Sequence, residues 1–502
     1  MGNIFVIIAF VAYALVILGI GIFSYKKSKS MNDYFIGGRQ LGSWTTAISA
    51  QASDMSGWLL MGLPGAIFVS GLTESWIAIG LFIGTYLNWK ILAARLRKMS
   101  YAAGDAITIP EYFQKRFFTQ NPIIRFACAA IIFVFFLIYT ASAFSSGAKL
   151  FNYMFGTDYT LSLTIGALII ISYTFLGGFF AVCWTDLIQG LLMFAALVVV
   201  PLVCIIQTPD VSAVQFLNAD GAVISNYLNL FENVNGDIAW TTILSGLAWG
   251  LGYFGMPHIL LRFMAIEDEK KLVLSRRIAT VWVVIAMAAS IVIGMVGLGM
   301  TRAGALEFLS GSSSETLIVH IASLISQHGV LAAVLAGLIL AGILAATMST
   351  ADSQMLAAAS SVSQNILQEF GHLKLSEKQS LFAARLTIIC VSVVGVVLAR
   401  DPDSSVFGIV SFAWAGFGGS FGAVVLCALF WKRCNWQGAL AGMLCGGLMV
   451  FVWKYIVSPL GGVFGIYELL PAFLVSLAVC AVVSLVTPAP TEDILAEFDA
   501  AK

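Results

Sequence analysis

Apolar residues dominate about thirteen windows along the chain, each of about twenty residues or more, with polar segments between them. A helix needs about twenty apolar residues to cross the hydrocarbon core of a membrane, so each window predicts one membrane-spanning helix. The windows are 3–25, 43–70, 73–94, 122–149, 160–178, 181–206, 238–263, 278–300, 329–363, 381–399, 405–431, 436–457 and 464–486.

The second window differs from a lipid-facing helix because it contains a carboxylate, hydroxyls, glycines and a proline. The run includes Ser53, Asp54, Ser56, Gly57 and Pro64. An ionisable side chain at membrane depth usually faces the protein interior or a water-filled path, and a break there frees backbone carbonyls that can bind a cation. We therefore expect a broken helix at the centre of a transport site.

A second interrupted helix is predicted in window 238–263, where three glycines and a proline fall between Trp249 and His258. Glycine and proline at this density should unwind a helix. Five windows separate the starts of the two broken helices, so the two run in opposite directions, as expected for two inverted halves. The predicted parts are an accessory helix at 3–25, repeats at 43–206 and 238–431, two accessory helices at 436–486, and a cytoplasmic tail at 487–502.

Window 329–363 supplies oxygen ligands of the type that alkali cations prefer. Ser349, Thr350 and Ser353 carry hydroxyls, and Asp352 carries a carboxylate. Ser349 lies three residues from Asp352 and four from Ser353, so these three side chains can share one face of a helix. Sodium fits this ligand set.

The composition excludes several classes of protein. The 502 residues are 60% hydrophobic and 10% charged, with no formal net charge, so we expect an all-α integral membrane protein with no nucleic-acid partner. The four histidines form no H-E-x-x-H pattern, and no nucleophile and base stand together, so no enzyme is expected. No repeated filter motif favours a channel, although that class stays open until tested, and no obligate protein partner is evident.

The basic residues predict the orientation. With the N-terminus outside and the C-terminus inside, roughly 22 of the 26 Lys and Arg residues fall on the cytoplasmic side, in agreement with the positive-inside rule. The cytoplasmic set includes Lys26, Lys27, Lys29, Arg39 and Arg262, and this set also supports an odd number of spans.

Four motifs resemble the sodium/solute symporter family, and in particular its bacterial members that transport proline. The first runs from Ala52 to Gly65, the second from Gly177 to Asp186, the third from Trp249 to His258, and the fourth from Trp414 to Gly418. The resemblance covers nearly the whole chain. It implies a LeuT-type fold of two inverted five-helix repeats and sodium-driven uptake of L-proline by alternating access across a bacterial inner membrane.

The resemblance also implies roles for individual residues. Sodium would be bound by the carbonyls of Ala52, Met55 and Ala346 and by the hydroxyls of Ser349 and Thr350. Residues important for sodium coupling would be Asp54, Ser56, Asp186, Asp352 and Ser353, and Arg39 would matter for transport. The proline pocket would be lined by Tyr139, Trp249, Tyr253 and Pro257, with Ser56 and Gly57 at the start of a half-helix that faces the substrate carboxylate.

Several alternatives stay open at this point. Asp54 could cap the half-helix that starts near Ser56, a role that is compatible with sodium coupling. Asp186 could be an interfacial cap or an ion-pair partner. Asp352 could be a structural hydrogen-bonding group, or it could bind a second cation together with Asp186, Ser349 and Ser353. The solute could be pantothenate or a sugar, and lithium or protons could replace sodium.

Overall fold

The computed structural model describes residues 4–25, 36–176, 178–207 and 223–500. The basic cluster of Lys26, Lys27 and Lys29 and the motif residue Gly177 lie outside these residues. Within them the chain is helical, and only two isolated β-bridges occur, Leu41 with Ile266 and Glu232 with Ile238. The prediction of an all-α protein is confirmed.

The described residues before 223 form nine α-helices. They are α1 (Ile4–Tyr25), α2 (Ser43–Asp54), α3 (Leu63–Ser70), α4 (Trp76–Leu87), α5 (Ala93–Ala102), α6 (Ile109–Arg116), α7 (Ile123–Phe155), α8 (Tyr159–Leu176) and α9 (Phe179–Gln207). A π-helical turn over Trp58–Gly62 precedes α3, and another over Asn88–Leu92 joins α4 to α5.

Residues 223–500 form a further eleven α-helices. They are α10 (Trp240–Ala248), α11 (Pro257–Ala265), α12 (Leu272–Arg302), α13 (Leu317–Ile325), α14 (Val330–Ser360), α15 (Glu377–Leu398), α16 (Val406–Phe417), α17 (Ala423–Phe430), α18 (Trp436–Val452), α19 (Leu469–Val486) and α20 (Glu492–Ala500). A 3₁₀ segment over Trp249–Gly255 joins α10 to α11, and a π-helical turn over Gly418–Gly422 joins α16 to α17.

Among the described residues, nine helices are long and apolar enough to cross a membrane, and three shorter apolar helices cover Ile4–Ile20, Trp58–Ser70 and Tyr159–Ser172. The chain is therefore a multi-pass membrane protein. The window 238–263 falls outside this set because its helix is interrupted into α10 and α11, each of nine residues.

Both predicted breaks are present, and each has a local cause. The helix α2 ends at Asp54, where Met55 turns to a ψ of 76°. At the second break Met256 is extended, with a ψ of 106°, directly before Pro257. A residue before proline is pushed out of the helical region, and proline fits the first position of the next helix because its missing N–H is not needed there.

Glycines let the broken helices pack closely against their neighbours. A Cβ atom on Gly255 would lie 2.7 Å from the backbone nitrogen of Gly422, between α16 and α17. A Cβ atom on Gly190 of α9 would lie 3.2 Å from that of Ala52. Small residues allow this backbone approach in membrane proteins, and here they bring α2, α9, α11 and α17 together around the two breaks.

The helix ends form two opposite faces, which we name by one residue each. The Arg39 end carries Arg39, Arg97 and Ile266, where the Arg97 guanidinium donates a 2.8 Å hydrogen bond to the Ile266 carbonyl. The Glu315 end carries Lys149 and Glu315, which form an ion pair. The two breaks lie between these faces, and the residues that form them are buried.

Candidate functional site

The first break brings backbone carbonyls next to the hydroxyls of α14. The Ser349 hydroxyl donates hydrogen bonds to the carbonyls of Ala52, at 2.8 Å, and Ala346, at 3.2 Å. The Thr350 hydroxyl lies 3.5 Å from the same Ala52 oxygen, and Met55 is the residue directly after the end of α2. Four of the five residues expected to bind sodium thus share one cluster of oxygen atoms, the ligand type that hard cations prefer.

Asp54 connects the two broken helices. The Tyr253 hydroxyl, from the second break, donates a 2.6 Å hydrogen bond to Oδ2 of Asp54. The Asp54 side chain is buried, and its Oδ1 has no hydrogen-bond partner among the residues that the structure describes. A carboxylate oxygen in this position is free to accept a bond from a cation or an ammonium group.

The alternative that Asp54 caps the half-helix after the break is wrong. The amide of Trp58 lies 3.4 Å from the Ser56 hydroxyl oxygen, which accepts its hydrogen bond, and the Asp54 carboxylate points to Tyr253. Ser56 takes the capping position because its side chain is short and lies two residues before the first amide of the turn.

An aromatic wall surrounds the second break. Trp249 lies with its ring centroid 5.6 Å from that of Trp58, and Tyr253 meets Trp414 edge to face at 5.1 Å. The Trp414 indole donates a 2.9 Å hydrogen bond to the Trp249 carbonyl, which the 3₁₀ segment leaves accessible. The wall is therefore anchored to both broken helices and to α16.

The remaining residues expected to bind substrate lie at the same place. The Tyr139 hydroxyl of α7 is 3.5 Å from the Asp54 carbonyl, and Pro257 begins α11 directly after the break. A Cβ atom on Gly57 would lie 3.0 Å from the Cβ of Ser146, so the backbone at Gly57 lies close against α7. One buried region is thus bordered by Tyr139, Trp249, Tyr253, Pro257, Ser56 and Gly57.

A buried charge network lies beside the oxygen cluster, toward the Arg39 end. Arg262 of α11 contacts Oδ2 of Asp186 at 3.0 Å and donates a 2.6 Å hydrogen bond to the Ser353 hydroxyl. The Ser49 hydroxyl bridges the pair, because it accepts from Arg262 at 3.0 Å and donates to Asp186 at 2.7 Å. Asp186 is therefore an ion-pair partner inside the bundle, and Arg262, which the charge pattern grouped with the cytoplasmic residues, is only 1% exposed.

Asp352 extends this network but is only partly satisfied. Its Oδ1 accepts a hydrogen bond from Thr174 of α8. Neither its Oδ2 nor Oδ1 of Asp186 has a hydrogen-bond partner among the described residues. Two carboxylates and one guanidinium leave the network with one excess negative charge when all three groups are ionised.

The charge network and the oxygen cluster occupy successive turns of the same two helices. Ser49 and Ala52 are three residues apart on α2, and Ser349 and Ser353 are four apart on α14. One helical turn rises about 5.4 Å, so the two clusters are neighbours along each helix. A backbone movement at the oxygen cluster therefore also moves the residues of the charge network. This arrangement can couple ion binding to movement at the Arg39 end.

Arg39 closes that end of the bundle. Its guanidinium forms a 2.7 Å ion pair with Asp105 and donates hydrogen bonds to the carbonyls of Ala106, at 2.8 Å, and Met264. Burial lowers the pKa of Arg39 from its ordinary value, and the Asp105 charge opposes that shift. Arg39 thus ties the segment after α5 to the end of α11.

An ion pair closes the opposite end. Lys149 lies 2.7 Å from Glu315, and both side chains are buried. The Glu315 carboxylate also accepts hydrogen bonds from the backbone amides of Val406 and Phe407, at 3.0 Å each. A negative charge at the start of a helix is stabilised by its dipole, so Glu315 holds the beginning of α16 to the end of α7.

Three residues of this site carry little signal in the sequence. Arg262 falls near the end of window 238–263, five positions after Pro257, but the charge pattern groups it with the cytoplasmic residues. Glu315 lies in a polar connection that suggests no helix partner, and Trp414 is visible only as part of a motif. Each acts through a contact with a distant part of the chain, so its neighbours in sequence do not reveal its role.

Residues 34–446 match the model of the sodium:solute symporter family. The chain belongs to the sodium:solute symporter family. The family consists of transporters, so the expectation that the chain is not an enzyme is confirmed by this membership.

Relatives in three bacteria support the assignment along nearly the whole chain. The sodium/proline symporter of Haemophilus influenzae is 42% identical over 99% of this chain and 97% of its own length. The osmoregulated proline transporter OpuE of Bacillus subtilis is 42% identical, with coverage of 97% and 96%. The sodium/proline symporter of Escherichia coli is 39% identical, with coverage of 97% and 94%.

Solved structures of other symporters share the fold. A sodium-coupled sialic acid symporter in a substrate-bound, outward-open state matches with a TM-score of 0.79, covering 97% of this chain and 99% of that one at 18% identity. Mhp1, a nucleobase-cation-symport-1 transporter in a closed conformation, matches with a TM-score of 0.51 at 14% identity, over 94% of this chain and 99% of that one. These symporters have the LeuT-type fold, as the motifs implied.

Proposed function

We propose that this protein couples the inward movement of sodium to the uptake of L-proline. The observation that carries the proposal is the joint position of the oxygen cluster and the aromatic wall, which meet at Asp54. The family and its proline-transporting relatives support both the ion and the solute.

Sodium binds, in this proposal, to the carbonyls of Ala52, Met55 and Ala346 and to the hydroxyls of Ser349 and Thr350. The hydroxyl of Ser349 already contacts two of these carbonyls, so little rearrangement is needed to turn its oxygen toward the ion. Binding would join α2 to α14 and stabilise the backbone at Met55, directly after α2.

Proline binds next to sodium, between the two breaks. Its ring packs against Trp249, Tyr253 and Pro257, and its carboxylate faces the helix start at Ser56 and Gly57. Oδ1 of Asp54 accepts a hydrogen bond from the ammonium group or favours the nearby sodium by its charge. Tyr139 completes the pocket and holds the Asp54 carbonyl.

Asp186, Asp352 and Ser353 act in coupling. Their network shares α2 and α14 with the sodium ligands, so filling the sodium site favours one arrangement of the Arg262 contacts over another. The two carboxylate oxygens without described partners would also suit a second cation beside Asp186, Ser349, Asp352 and Ser353.

The chain crosses the membrane thirteen times in this proposal, with the N-terminus outside and the C-terminus inside. Repeats at 43–206 and 238–431 form the inverted core, and helices at 3–25 and 436–486 are accessory. The Glu315 end then faces outward and the Arg39 end faces the cytoplasm, in agreement with the basic residues of the connecting segments. The bacterial relatives support a location in the inner membrane.

Alternating access follows from the two closed ends. Opening the outer end requires Lys149 and Glu315 to release α16, and opening the inner end requires Arg39 to release the end of α11 and Arg262 to release Asp186. The sodium gradient drives inward release, aided by about 2.3 kcal/mol per elementary charge for each 100 mV of membrane potential.

Uptake by the purified protein in liposomes tests the proposal. We expect labelled proline to accumulate with saturable kinetics only under an inward sodium gradient. Preferential competition by unlabelled pantothenate or a sugar would reassign the solute, and equal uptake under a lithium or proton gradient would reassign the ion. Non-saturable conductance would identify a channel and contradict the proposal.

A further inference from the structure

Tyr467 reaches the second break from outside the two repeats. It lies in the connection between the accessory helices α18 and α19, which contains two short 3₁₀ segments, Ser458–Leu460 and Gly462–Gly465. The Trp453 indole fixes this connection by donating a 2.9 Å hydrogen bond to the Ile466 carbonyl. The tyrosine therefore enters the core on a braced segment.

Two hydrogen bonds hold Tyr467 between the helices that form the outer part of the second repeat. Its backbone amide donates to the Ser245 hydroxyl of α10 at 2.9 Å, and its own hydroxyl donates to the Ser411 carbonyl of α16 at 2.6 Å. Tyr467 is 7% exposed.

The ring of Tyr467 stacks on Trp249 of the aromatic wall. The two ring centroids are 5.3 Å apart with an interplanar angle of 21°. Phe407 lies nearly parallel to the same indole at 5.4 Å and 17°. Trp249 is thus flanked by one ring from the core and one from the accessory connection, and its orientation depends on both.

A cavity of about 270 Å³ lies directly outside this stack. It is bordered by Trp249, Phe407, Ser411, Lys454, Tyr467 and Glu468. Neither Trp58 nor Asp54 borders this cavity, and the Trp58 indole contacts both the Trp249 ring and the Asp54 carbonyl. Trp249 thus borders the cavity and also contacts Trp58, next to the first break.

We propose that Tyr467 is a positioning residue for Trp249 and that the connection from Ser458 to Glu468 is the outer lid of the transport pathway. The proposal rests on the proposed function for the identity of the solute. When the lid is in place, the Trp249 indole is held in the wall that faces proline. When Tyr467 withdraws from Ser245 and Ser411, the indole is free to turn and the cavity joins the pocket.

Three variants separate positioning from packing. Tyr467→Ala removes the ring and the hydroxyl, whereas Tyr467→Phe keeps the ring and removes the bond to Ser411. Tyr455→Ala is the matched control, because Tyr455 lies on the same hairpin and is 66% exposed. Loss of an aromatic stack should raise the KM for proline about three- to tenfold in Tyr467→Ala. Vmax per folded protein should change less, and Tyr455→Ala should resemble the parent.

Thiol labelling tests the lid without using proline. In a chain whose eight native cysteines are replaced, Ser146→Cys places a thiol beside Gly57, behind the stack, and Thr241→Cys places one in the cavity. A membrane-impermeant reagent should label Thr241→Cys at a similar rate in all variants. It should label Ser146→Cys several times faster with Tyr467→Ala than with the parent or Tyr455→Ala.

The outcomes distinguish this inference from the proposed function. Suppose that the parent takes up proline. If Tyr467→Ala and Tyr467→Phe then have the same KM for proline as the parent, and Ser146→Cys is labelled at the parent rate in both, the proposal of a lid is overturned. If the parent takes up no proline, but Tyr467→Ala still exposes Ser146→Cys, the lid stands and the solute is wrong. Reduced folded protein with unchanged KM and labelling would show a packing role and overturn the inference.

Discussion

The hydroxyl of Tyr253 donates a 2.6 Å hydrogen bond to the carboxylate of Asp54, and this bond joins the broken helix of one half of the chain to that of the other. The two residues are 199 positions apart, and both are buried. A conformational change that separates the two breaks must break this hydrogen bond. A stronger bond therefore favours the conformation in which both broken helices line the pocket.

Replacing Tyr253 with Phe should weaken both substrate and sodium binding. A hydrogen bond to a charged group contributes about 1.5–3 kcal/mol, and its loss leaves Oδ2 of Asp54 buried without a donor. We expect the KM for proline and the sodium concentration for half-maximal uptake to rise together, each by about tenfold or more. Initial rates of uptake at varied proline and sodium measure both. Tyr101→Phe, at an exposed position on α5, is the control, and a selective change in Vmax alone would argue against this role.

Removing either partner of the Asp186 and Arg262 pair should destabilise the protein more than removing both. Breaking a buried ion pair from one side costs about 3–5 kcal/mol, because it leaves an unpaired charge in the interior. Asp186→Asn, Arg262→Gln and the double variant should therefore show non-additive losses of thermal stability in detergent. The exposed pair of Lys432 and Asp499 provides a matched double-mutant cycle. Each of its substitutions should change the free energy of unfolding by no more than about 1 kcal/mol. Additive losses at Asp186 and Arg262 would refute the coupling.

Adding one methyl group at Gly252 should disrupt the aromatic wall. A Cβ atom at this position would overlap the indole of Trp414, which is fixed by its bond to the Trp249 carbonyl. Overpacking of this kind costs about 1–3 kcal/mol, and we expect Gly252→Ala to lose most proline uptake. Gly19→Ala on α1 is the control, since nothing lies within 4 Å of its Cβ position. Normal uptake by Gly252→Ala would show that the wall does not border the solute.

Neutralising Glu315 should favour the form that is open at the Glu315 end. Glu315→Gln leaves Lys149 without its counter-charge and weakens the hold on the start of α16, so the closed form loses stabilisation. A thiol at Phe407→Cys should then react several times faster with an impermeant reagent. Glu307→Gln, an exposed change in the same connection, should leave the rate unchanged. If the thiol reacts at the same rate in Glu315→Gln and Glu307→Gln, contacts other than those of Glu315 close this end.

Local chemistry in the sequence predicts part of this structure. The density of glycine and proline located both breaks, because Gly252 and Pro257 determine the conformations that their own backbone can adopt. The hydroxyl pattern of α14 predicts that Ser349 shares a site with Asp352 and Ser353. In the structure Ser349 lies beside Ala52 together with Thr350, as the resemblance implies, whereas Asp352 and Ser353 contact Thr174 and Arg262.

Features that depend on distant contacts could not be read in this way. Arg262 resembles a cytoplasmic loop charge in the sequence, and only the packing of the bundle brings it to Asp186, 76 residues away. Tyr467 belongs to an accessory connection with no motif, and its contact with Trp249 spans more than two hundred residues. The bond from Tyr253 to Asp54 is hidden for the same reason, since no local pattern relates the two side chains.

Proline binding to the purified protein at increasing sodium concentrations is the sharpest test of the proposed coupling. Because coupling between two binding sites is reciprocal, sodium should raise the affinity for proline about tenfold or more in the parent. Ser349→Ala should lose this effect, and Ser360→Ala, whose hydroxyl donates to the Ala357 carbonyl within α14, should keep it. Proline affinity that is independent of sodium in the parent, or a sodium effect that survives in Ser349→Ala, would contradict coupling through the oxygen cluster.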